Sequence, residues 1–320
     1  MTDTAGHAAS HAPRPTPHAP RPWRYWGFRA ALALARLLPR RLGYPLAALG
    51  GELYFRLNPG HGRKAIDNYA VLLADHPGAP RVRGTARRSF RNYSKVLFDF
   101  FRLPALDPDA LEADVIGAGW EHLDAALAWG RGVVLVSPHL GNWDLAAAIV
   151  AARGYPISTV ADRFSPPAVD HLVHATRNRT GLGIIPLDPG GGALRRITAH
   201  LRAGQIVGFV FDRPQREGGV EVEFFGAPAW LPAGPARFAL RAGAPVVGGH
   251  VIRRPGDRTY FGRFDPIPFT PTGDEAADIQ ALTQAIVRWM EGVLRQHPDQ
   301  WYMFRRMWPE ATAECGVGDA

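Results

Sequence analysis

The sequence has a single cysteine in 320 residues, Cys315, close to its C-terminal end. One thiol cannot form an intramolecular disulfide or supply a multi-cysteine zinc site, so both kinds of framework are excluded. Lysine is almost as scarce, because only Lys64 and Lys95 among the 37 basic residues are lysines. No Gly-Lys-Ser/Thr sequence occurs, which excludes nucleotide binding by a P-loop.

Long uninterrupted apolar runs are also lacking. The segment from Phe28 to Leu57 is rich in Leu and Ala, but Arg36, Pro39 and Pro45 interrupt it. A membrane-spanning helix needs about 20 mostly apolar residues, so we predict short helices at a bilayer surface instead. Ordinary packing of a helical hairpin onto the folded domain explains the same pattern equally well. The N-terminus also lacks the basic, apolar and small-residue order of a signal peptide.

Three common catalytic motifs are missing as well. There is no Gly-x-Ser-x-Gly nucleophile elbow, no His-Glu-x-x-His zinc motif and no Gly-x-Gly-x-x-Gly after a strand. Ser137 is a candidate nucleophile by residue type, but Pro138 follows it and the elbow is missing. Serine hydrolase, zinc protease and dinucleotide-dependent chemistry are therefore disfavoured.

Positive charge is abundant and concentrated towards the N-terminus. The net charge is +8, and seven basic residues lie between Arg29 and Lys64 against Glu52 alone. Six more lie between Arg81 and Lys95 without an acidic residue. Because no nucleic-acid-binding module accompanies them, we predict an anionic membrane surface as the partner and no nucleic acid. An arginine-rich composition without a specific partner is the alternative interpretation.

Helical and strand-like segments alternate through most of the chain. Aromatic and apolar residues recur at spacings of three and four between Thr85 and Phe101, which predicts an amphipathic helix. Beyond it, the alternation predicts an α/β fold with a mixed, mostly parallel central sheet flanked by helices, preceded by an N-terminal helical membrane-contact region. The predicted strands are 133–136, 157–161, 183–187, 206–211, 220–225, 246–252 and 260–264, and the predicted helices are 143–152, 168–180, 193–203, 234–242 and 276–296.

These patterns divide the chain into four predicted regions. Residues 1–22 form a Pro-, Ala- and His-rich tail that has too few bulky apolar residues to fold. Residues 23–110 form the helical membrane-associating region, residues 111–310 the α/β core, and residues 311–320 a flexible C-terminal tail.

The stretch Val133-Val-Leu-Val-Ser-Pro-His139-Leu-Gly-Asn-Trp-Asp144 is the most informative. It places His139 at the carboxyl end of a buried strand and Asp144 in the first turn of the next helix, with Gly141 and Asn142 suited to the turn. From there the carboxylate can reach back to one imidazole nitrogen and leave the other as a base. A buried histidine beside an aspartate that only supports the helix start explains the residues equally well.

Several blocks along the chain resemble one family. In order they are Pro138-His-Leu-Gly-Asn-Trp-Asp144, Arg177-Asn-Arg-Thr-Gly181, Phe224-Phe-Gly-Ala-Pro228, Gly234-Pro-Ala-Arg237 and His297-Pro-Asp-Gln-Trp-Tyr302. From about Asn68 to Trp308 the sequence resembles the bacterial lipid A lauroyl/myristoyl acyltransferases, especially the phosphatidylinositol mannoside acyltransferases. Several spaced blocks in order are more specific than any one of them.

The resemblance implies roles for individual residues. His139 would be the general base for an acceptor hydroxyl, oriented by Asp144, and Asp162, Arg177 and Asp212 would contact acceptor or catalytic groups. Arg179 and Asn142 lie in the same blocks and are further candidates for substrate binding. Two positions depart from the pattern: the mannoside acyltransferases carry glutamate near Asp162 and Asp212, and the lipid A enzymes show Asp-Gln where this chain has Asp212-Arg213.

We therefore expect an O-acyltransferase that moves a fatty acyl group from acyl-CoA or acyl carrier protein to a hydroxyl of a membrane lipid or glycolipid. No metal or other cofactor is expected, and the expected location is the cytoplasmic face of the plasma membrane, as a peripheral or monotopic protein. A thioesterase-like hydrolase and a nonenzymatic lipid-binding protein are the alternatives. The sequence does not specify the oligomeric state.

Overall fold

The structure is a computed structural model that describes residues 22–103, 115–163, 167–187, 191–256 and 259–308. The predicted tails, 1–22 apart from Pro22 and 311–320, lie outside the described residues, as does Cys315. Most of the glycine-rich connection before Gly192 also lies outside them.

The N-terminal part is helical. Four helices follow one another: α1 (Pro22–Leu37), α2 (Arg40–Leu57), α3 (Pro59–Leu73) and α4 (Pro80–Arg102). The predicted amphipathic helix is confirmed as part of α4, whose buried residues include Phe90 and Phe100. Pro39 separates α1 from α2, but Pro45 lies inside α2 rather than ending it. Among the described residues, every helix is too short or too polar to cross a bilayer.

The predicted α/β core is confirmed. A seven-stranded sheet has the strand order β1-β9-β8-β2-β5-β3-β4, and every neighbouring pair is parallel except β8 and β9. Its strands are β1 (Val115–Ala118), β2 (Val133–Ser137), β3 (Ile157–Ala161), β4 (Gly183–Pro186), β5 (Ile206–Val210), β8 (Val246–Arg253) and β9 (Tyr260–Ile267). The strands β6 (Gly219–Phe224) and β7 (Ala227–Pro232) form a separate antiparallel hairpin.

Helices cover the sheet. They are α5 (Trp120–Leu127), α6 (Trp143–Ala152), α7 (Pro167–Asn178), α8 (Gly192–Arg202), α9 (Gly234–Ala242) and α10 (Glu275–Gln296). The bounds predicted for α6 and α9 are confirmed at both ends, whereas α3, β1, α5 and β7 were not predicted. The mixed, mostly parallel architecture therefore follows the sequence pattern, and the short elements complete it.

The turn between β2 and α6 depends on a glycine. Gly141 has a φ of 58°, and a Cβ there would lie 1.8 Å from the carbonyl oxygen of Val251, so an L side chain is excluded. Asn142 then caps α6, because its side-chain oxygen accepts a hydrogen bond from the backbone N–H of Leu145 at 3.1 Å. The turn brings the residues after β2 to the carboxyl edge of the sheet, close to the start of α6.

The last described residues of the chain lie inside the core. Trp301 is fully buried, and its carbonyl oxygen accepts a hydrogen bond from the hydroxyl of Tyr69 in α3. The side-chain amide of Asn68 donates to the carbonyl oxygens of Met303 at 2.9 Å and Arg305 at 2.6 Å. This segment therefore packs into the core, and it ties α3 to the carboxyl edge of the sheet.

Candidate active site

His139 lies two residues beyond the central strand β2. Its carbonyl oxygen accepts a hydrogen bond from the backbone N–H of Tyr302 at 2.8 Å, which anchors the backbone to the C-terminal segment. The imidazole lies against the ring of Trp143 with centroids 5.3 Å apart, and 13% of the side chain is exposed. The histidine is therefore held in position but remains accessible from one side.

The carboxylate that contacts the imidazole belongs to Asp212. Asp212 lies two residues beyond β5, and its Oδ1 pairs with Nδ1 of His139. Its Oδ2 accepts from the backbone N–H of His139 at 3.0 Å and from Nε1 of Trp301 at 2.7 Å. The side chain of Asp212 is fully buried.

The surroundings of Asp212 favour its ionised form. Burial by itself would raise the pKa of this carboxyl group. The positive charge of a protonated His139 and the hydrogen bonds from His139 and Trp301 outweigh that effect and hold the pKa of Asp212 below its ordinary value. An ionised carboxylate at Nδ1 keeps the proton on that nitrogen and leaves Nε2 as the basic nitrogen of a neutral ring.

The predicted contact between Asp144 and the imidazole is wrong. Asp144 lies in the first turn of α6, and its carboxylate accepts from Nε of Arg177 at 2.7 Å and from Nη2 at 3.4 Å. The pair is nearly buried, with side chains 10% and 12% exposed. The permanent charge of Arg177 binds Asp144, and Nδ1 of His139 already has Asp212 as its partner.

The other predicted residues separate into three groups. Asp162 pairs with Arg213 at 2.8 Å, and both side chains are substantially exposed at the cavity described below. The side chain of Asn142 is buried, since it caps α6 and donates to the hydroxyl of Tyr260 at 3.3 Å. Arg179 is exposed and does not line the cavity as the described residues define it. Substrate contacts of these residues stay predictions.

A cavity of about 770 Å³ opens beside His139. Polar residues of the predicted site line it, namely His139, Asp144, Asp162 and Arg177. It continues between the sheet and α6, where glycine, alanine and aliphatic residues line it. Its size is within the range of about 300–1,000 Å³ that is typical of ligand sites. Among the described residues, no group of three or more His, Cys, Asp or Glu side chains is arranged to hold a metal ion.

Sequence reasoning missed two parts of this arrangement. The first is the pairing of His139 with Asp212, although an acidic residue directly after an apolar strand repeats the pattern of His139 after β2. The second is Trp301, whose indole N–H donates a hydrogen bond to Asp212. The arrangement joins a histidine–aspartate pair to a cavity with polar and apolar walls, which suits proton transfer beside a substrate that has an aliphatic part.

Comparison with known proteins gives a consistent result. Residues 14–310 match the model of the bacterial lipid A biosynthesis acyltransferase family. The chain is 30% identical to the phosphatidylinositol mannoside acyltransferase of Mycobacterium tuberculosis (strain ATCC 25618 / H37Rv) over 266 residues, which cover 77% of this chain and 82% of the relative.

Two further relatives extend the comparison. Identity to the phosphatidylinositol mannoside acyltransferase of Mycolicibacterium smegmatis is 29% over 285 residues, covering 88% of this chain and 90% of the relative. Identity to the lipid A biosynthesis myristoyltransferase of Escherichia coli (strain K12) is 23% over 162 residues, covering 51% of this chain and 50% of the relative. With the family match extending over nearly the whole length, the chain belongs to the bacterial lipid A biosynthesis acyltransferase family.

Proposed function

We propose that the protein transfers a fatty acyl group from the thioester of acyl-CoA or acyl carrier protein to a hydroxyl of a membrane lipid or glycolipid, with His139 as general base. The observation that carries the proposal is the pairing of the buried Asp212 with the accessible His139 beside a cavity that has both polar and apolar walls. Family membership supports acyl transfer, and the relatives with the greatest coverage are named for acylating phosphatidylinositol mannosides.

The proposed reaction needs one base and no covalent enzyme intermediate. Nε2 of His139 takes the proton of the acceptor hydroxyl while its oxygen bonds to the thioester carbonyl carbon. Asp212 holds Nδ1–H and stabilises the imidazolium that forms. As the tetrahedral intermediate collapses, the C–S bond breaks and Nε2–H returns the proton to the leaving thiolate. The products are an ester and a free thiol.

Asp144 receives a positioning role in this proposal. Its carboxylate neutralises Arg177 at the wall of the cavity, and both residues line the space beside His139. A nearly buried ion pair is costly to break from one side, because the remaining charge loses its partner. We therefore assign Asp144 to holding α6 and Arg177 in place, and not to orienting the imidazole.

A labelled-substrate experiment separates acyl transfer from the alternatives. The protein is incubated with radiolabelled palmitoyl-CoA and a total lipid extract that contains mannosylated phosphoinositides. Labelled lipid supports transfer, labelled free fatty acid alone supports a thioesterase-like hydrolase, and unchanged palmitoyl-CoA supports a nonenzymatic lipid-binding protein.

The assignment of the base is tested by His139→Ala, which should lower the single-turnover rate by about 10²–10⁴-fold. His76→Ala is the matched control, because His76 is exposed and lies in the α3–α4 loop. Thermal unfolding is measured on both. A folded His139→Ala protein with the wild-type rate would remove His139 from the mechanism.

We also propose that the protein binds the cytoplasmic face of the plasma membrane through α2. One face of α2 carries five leucines at spacings of three and four, each between 47% and 75% exposed: Leu42, Leu46, Leu49, Leu53 and Leu57. The opposite face packs against α4, where Gly51 would clash with Phe90 if it had a Cβ. An exposed apolar stripe flanked by Arg41 and Arg56 suits a bilayer with anionic headgroups.

Vesicle binding tests this placement. Leu46→Glu with Leu49→Glu should abolish sedimentation with vesicles of phosphatidylglycerol and phosphatidylcholine. Leu194→Glu is the control, because Leu194 is 56% exposed on α8. Wild-type binding should weaken as salt rises, because screening shortens the reach of the arginine charges to about 10 Å at 0.1 M. Unchanged binding by the double variant would exclude α2 as the contact.

A further inference from the structure

We propose that Trp301 is a positioning residue for the proposed acyl transfer, because its indole N–H holds the carboxylate of Asp212 with one oxygen on the imidazole of His139. This inference rests on the proposed function. It assigns to Trp301 the orientation and the protonation of the base, and no contact with the substrate.

The two oxygens of the Asp212 carboxylate have different partners. Oδ1 pairs with Nδ1 of His139, whereas Oδ2 accepts from the backbone N–H of His139 at 3.0 Å and from Nε1 of Trp301 at 2.7 Å. The terminal torsion of an aspartate has broad minima, so hydrogen bonds to both oxygens are needed to fix the plane of the carboxylate. Of the two described donors to Oδ2, the indole is the one that comes from a separate part of the chain. It therefore fixes the carboxylate independently of His139.

The indole of Trp301 is itself held in place. Its side chain is fully buried, and three aromatic rings have centroids 6.0 to 6.3 Å from its own, namely those of Tyr69, Phe224 and Trp308. The hydroxyl of Tyr69 also donates to the backbone carbonyl oxygen of Trp301. Packing and hydrogen bonding of this kind lock the rotamer of a group that supports a site.

Two backbone hydrogen bonds align the segment around Trp301 with the turn that carries His139. The N–H of Tyr302 donates to the carbonyl oxygen of His139 at 2.8 Å, and the N–H of Gly141 donates to that of Gln300 at 2.9 Å. Trp301 lies between the two residues of its segment that make these bonds. The indole therefore keeps a fixed register with the imidazole.

A second buried tryptophan shows that core packing does not require the bond to Asp212. Trp308 is 3% exposed, and its Nε1 has no hydrogen-bond partner among the described residues. The fold therefore tolerates an unpaired indole N–H in this core, although a buried indole usually finds an acceptor. Trp301 instead donates to an ionised carboxylate, and hydrogen bonds to ionised groups are stronger than neutral ones.

The same hydrogen bond affects the charge that faces the imidazole. Burial is the largest influence on the pKa of Asp212 and raises it, whereas the charge of protonated His139 and the hydrogen bonds from His139 and Trp301 bring the pKa below its ordinary value. An N–H on Oδ2 draws negative charge away from Oδ1, so the carboxylate stabilises imidazolium less strongly. More of His139 then stays in the neutral form that can accept a proton from a hydroxyl.

The other charged groups at the cavity leave the imidazole as the group that titrates near neutral pH. Asp144 pairs with Arg177, Asp162 pairs with Arg213, and arginine keeps its charge at every accessible pH. Burial lowers the pKa of His250 to about 4. The remaining arginines of the lining are Arg237, Arg263 and Arg305. Burial raises the pKa values of the nearby tyrosines, Tyr93 and Tyr302.

The test measures single-turnover transfer of labelled palmitate as a function of pH. In Trp301→Phe the rate at pH 7 should fall on the order of 10-fold, which is less than the loss without the base. The midpoint of the acid limb should rise by about half a pH unit or more, since imidazolium gains stability. Trp308→Phe is the matched control, because it makes the same change in the same core but breaks no described hydrogen bond. Its pH profile should be that of the wild type.

The same substitution in the Asp212→Asn protein tests whether Trp301 acts through the charge of Asp212. There, Trp301→Phe should lower the rate by less than about threefold, because residues that act as one unit are not additive. A full 10-fold loss in that background would assign Trp301 a role independent of Asp212 and contradict the inference.

A further variant separates the hydrogen bond from the ring. Replacement of Trp301 by benzothienylalanine keeps the shape of the indole but puts sulfur in place of its N–H. This protein should show the same rise of the acid limb, and it decides the question if Trp301→Phe does not fold. A wild-type rate and pH profile in this protein would overturn the inference, as would an equal shift in Trp308→Phe.

Histidine ¹⁵N NMR provides a readout that needs no turnover. In the wild type Nδ1 of His139 should carry the proton of the neutral ring, and benzothienylalanine at position 301 should raise the midpoint of its titration. Wild-type protein that shows this difference but forms no labelled lipid would refute the proposed function and support the positioning role. An unchanged titration would refute the positioning role even where labelled lipid forms.

Discussion

Two aspartates in this protein are similarly buried but accept hydrogen bonds from different kinds of side chain. Asp212 is fully buried and Asp99 is 3% exposed. Asp212 accepts hydrogen bonds from an imidazole, an indole and a backbone N–H. Asp99 accepts from the hydroxyls of Tyr44 and Tyr260 and from Nη2 of Arg253 at 3.1 Å. Both carboxylates are thus saturated with donors.

The difference lies in what each partner can do. Arg253 keeps its charge at every accessible pH, and burial, with the charge of Asp99 adding to it, raises the pKa of Tyr44 to about 12. Tyr44, Tyr260 and Arg253, whose pKa values are all raised, therefore exchange no protons in the physiological range. His139 can gain and lose a proton, and it lines the cavity. We therefore assign the Asp99 cluster to the stability of the fold and the pair of Asp212 and His139 to the proposed proton transfer.

The largest expected effect comes from removing the charge of Asp212. Asp212→Asn keeps the shape but cannot stabilise imidazolium, so the rate of acyl transfer should fall by about 10⁴-fold. Combining it with His139→Ala should add little, because the two residues act as one unit. Single-turnover transfer of labelled palmitate measures both.

The same substitution at Asp99 should act on stability. Asp99→Asn leaves the buried charge of Arg253 without its carboxylate, which should lower the free energy of unfolding by about 3–5 kcal/mol. Transfer by the folded fraction should stay within about tenfold of the wild type, since the hydrogen bonds given for Asp99 in the described part of the chain are to Tyr44, Arg253 and Tyr260 and not to His139 or Asp212. Denaturant unfolding gives the stability, with Glu121→Gln on an exposed side chain as control. If transfer by the folded fraction fell by much more than about tenfold, the contrast between Asp99 and Asp212 would be removed.

The local parts of the site could be predicted from sequence. The apolar run of β2 and the capping residue Asn142 are short-range signals, and they fix β2, the turn and α6. The short elements β1 and α5 were missed because Val115–Ala118 has a Gly and an Ala in four residues and resembles a loop. A strand of that length at the sheet edge depends on its pairing with β9.

The partner of His139 could not be obtained in this way. Asp144 is close in sequence, whereas Asp212 is separated from His139 by 73 positions. Only the sheet order places β5 beside β2, with Ser137 opposite Val210, so that His139 and Asp212 each lie two residues past a paired position. Local sequence carries no record of which strands become neighbours, although the resemblance had already marked Asp212 as a site residue.

His250 is a third buried titratable group. Unlike Asp212 and Asp99, it has no charged hydrogen-bond partner among the described residues. Its Nδ1 is buried without a hydrogen-bond partner in the described part of the chain. Burial, only partly offset by Asp265, lowers the pKa of His250 to about 4. The unfolded chain, with an ordinary value near 6.5, binds more protons between these values. Stability should therefore fall as the pH drops from about 6.5 towards 4, by about 2 kcal/mol at pH 5.

His250→Gln should flatten this part of the profile of unfolding free energy against pH. Denaturant titrations between pH 7 and pH 5 on the wild type and the variant measure the difference. His171→Gln is the control, because His171 is exposed on α7. A slope that persists in His250→Gln would assign the acid sensitivity to another group.

The smallest expected effect concerns the ion pair of Asp144 and Arg177. The pair resembles the Asp99 cluster because a carboxylate contacts an arginine, and it resembles His139 because both residues line the cavity. If Asp144 acts through Arg177, Asp144→Asn and Arg177→Gln should each impair stability and transfer, and the double variant should be better than the sum of the two losses. A coupling of about 1 kcal/mol in unfolding free energy is expected for such a pair. The rate should follow the same pattern, with Arg177→Gln partly rescuing Asp144→Asn.

If Asp144 instead orients His139, its loss should match that of Asp212→Asn and no change at Arg177 should restore it. A double-mutant cycle on both quantities therefore decides whether the aspartate of the His-x4-Asp pattern belongs with the structural cluster or with the catalytic one.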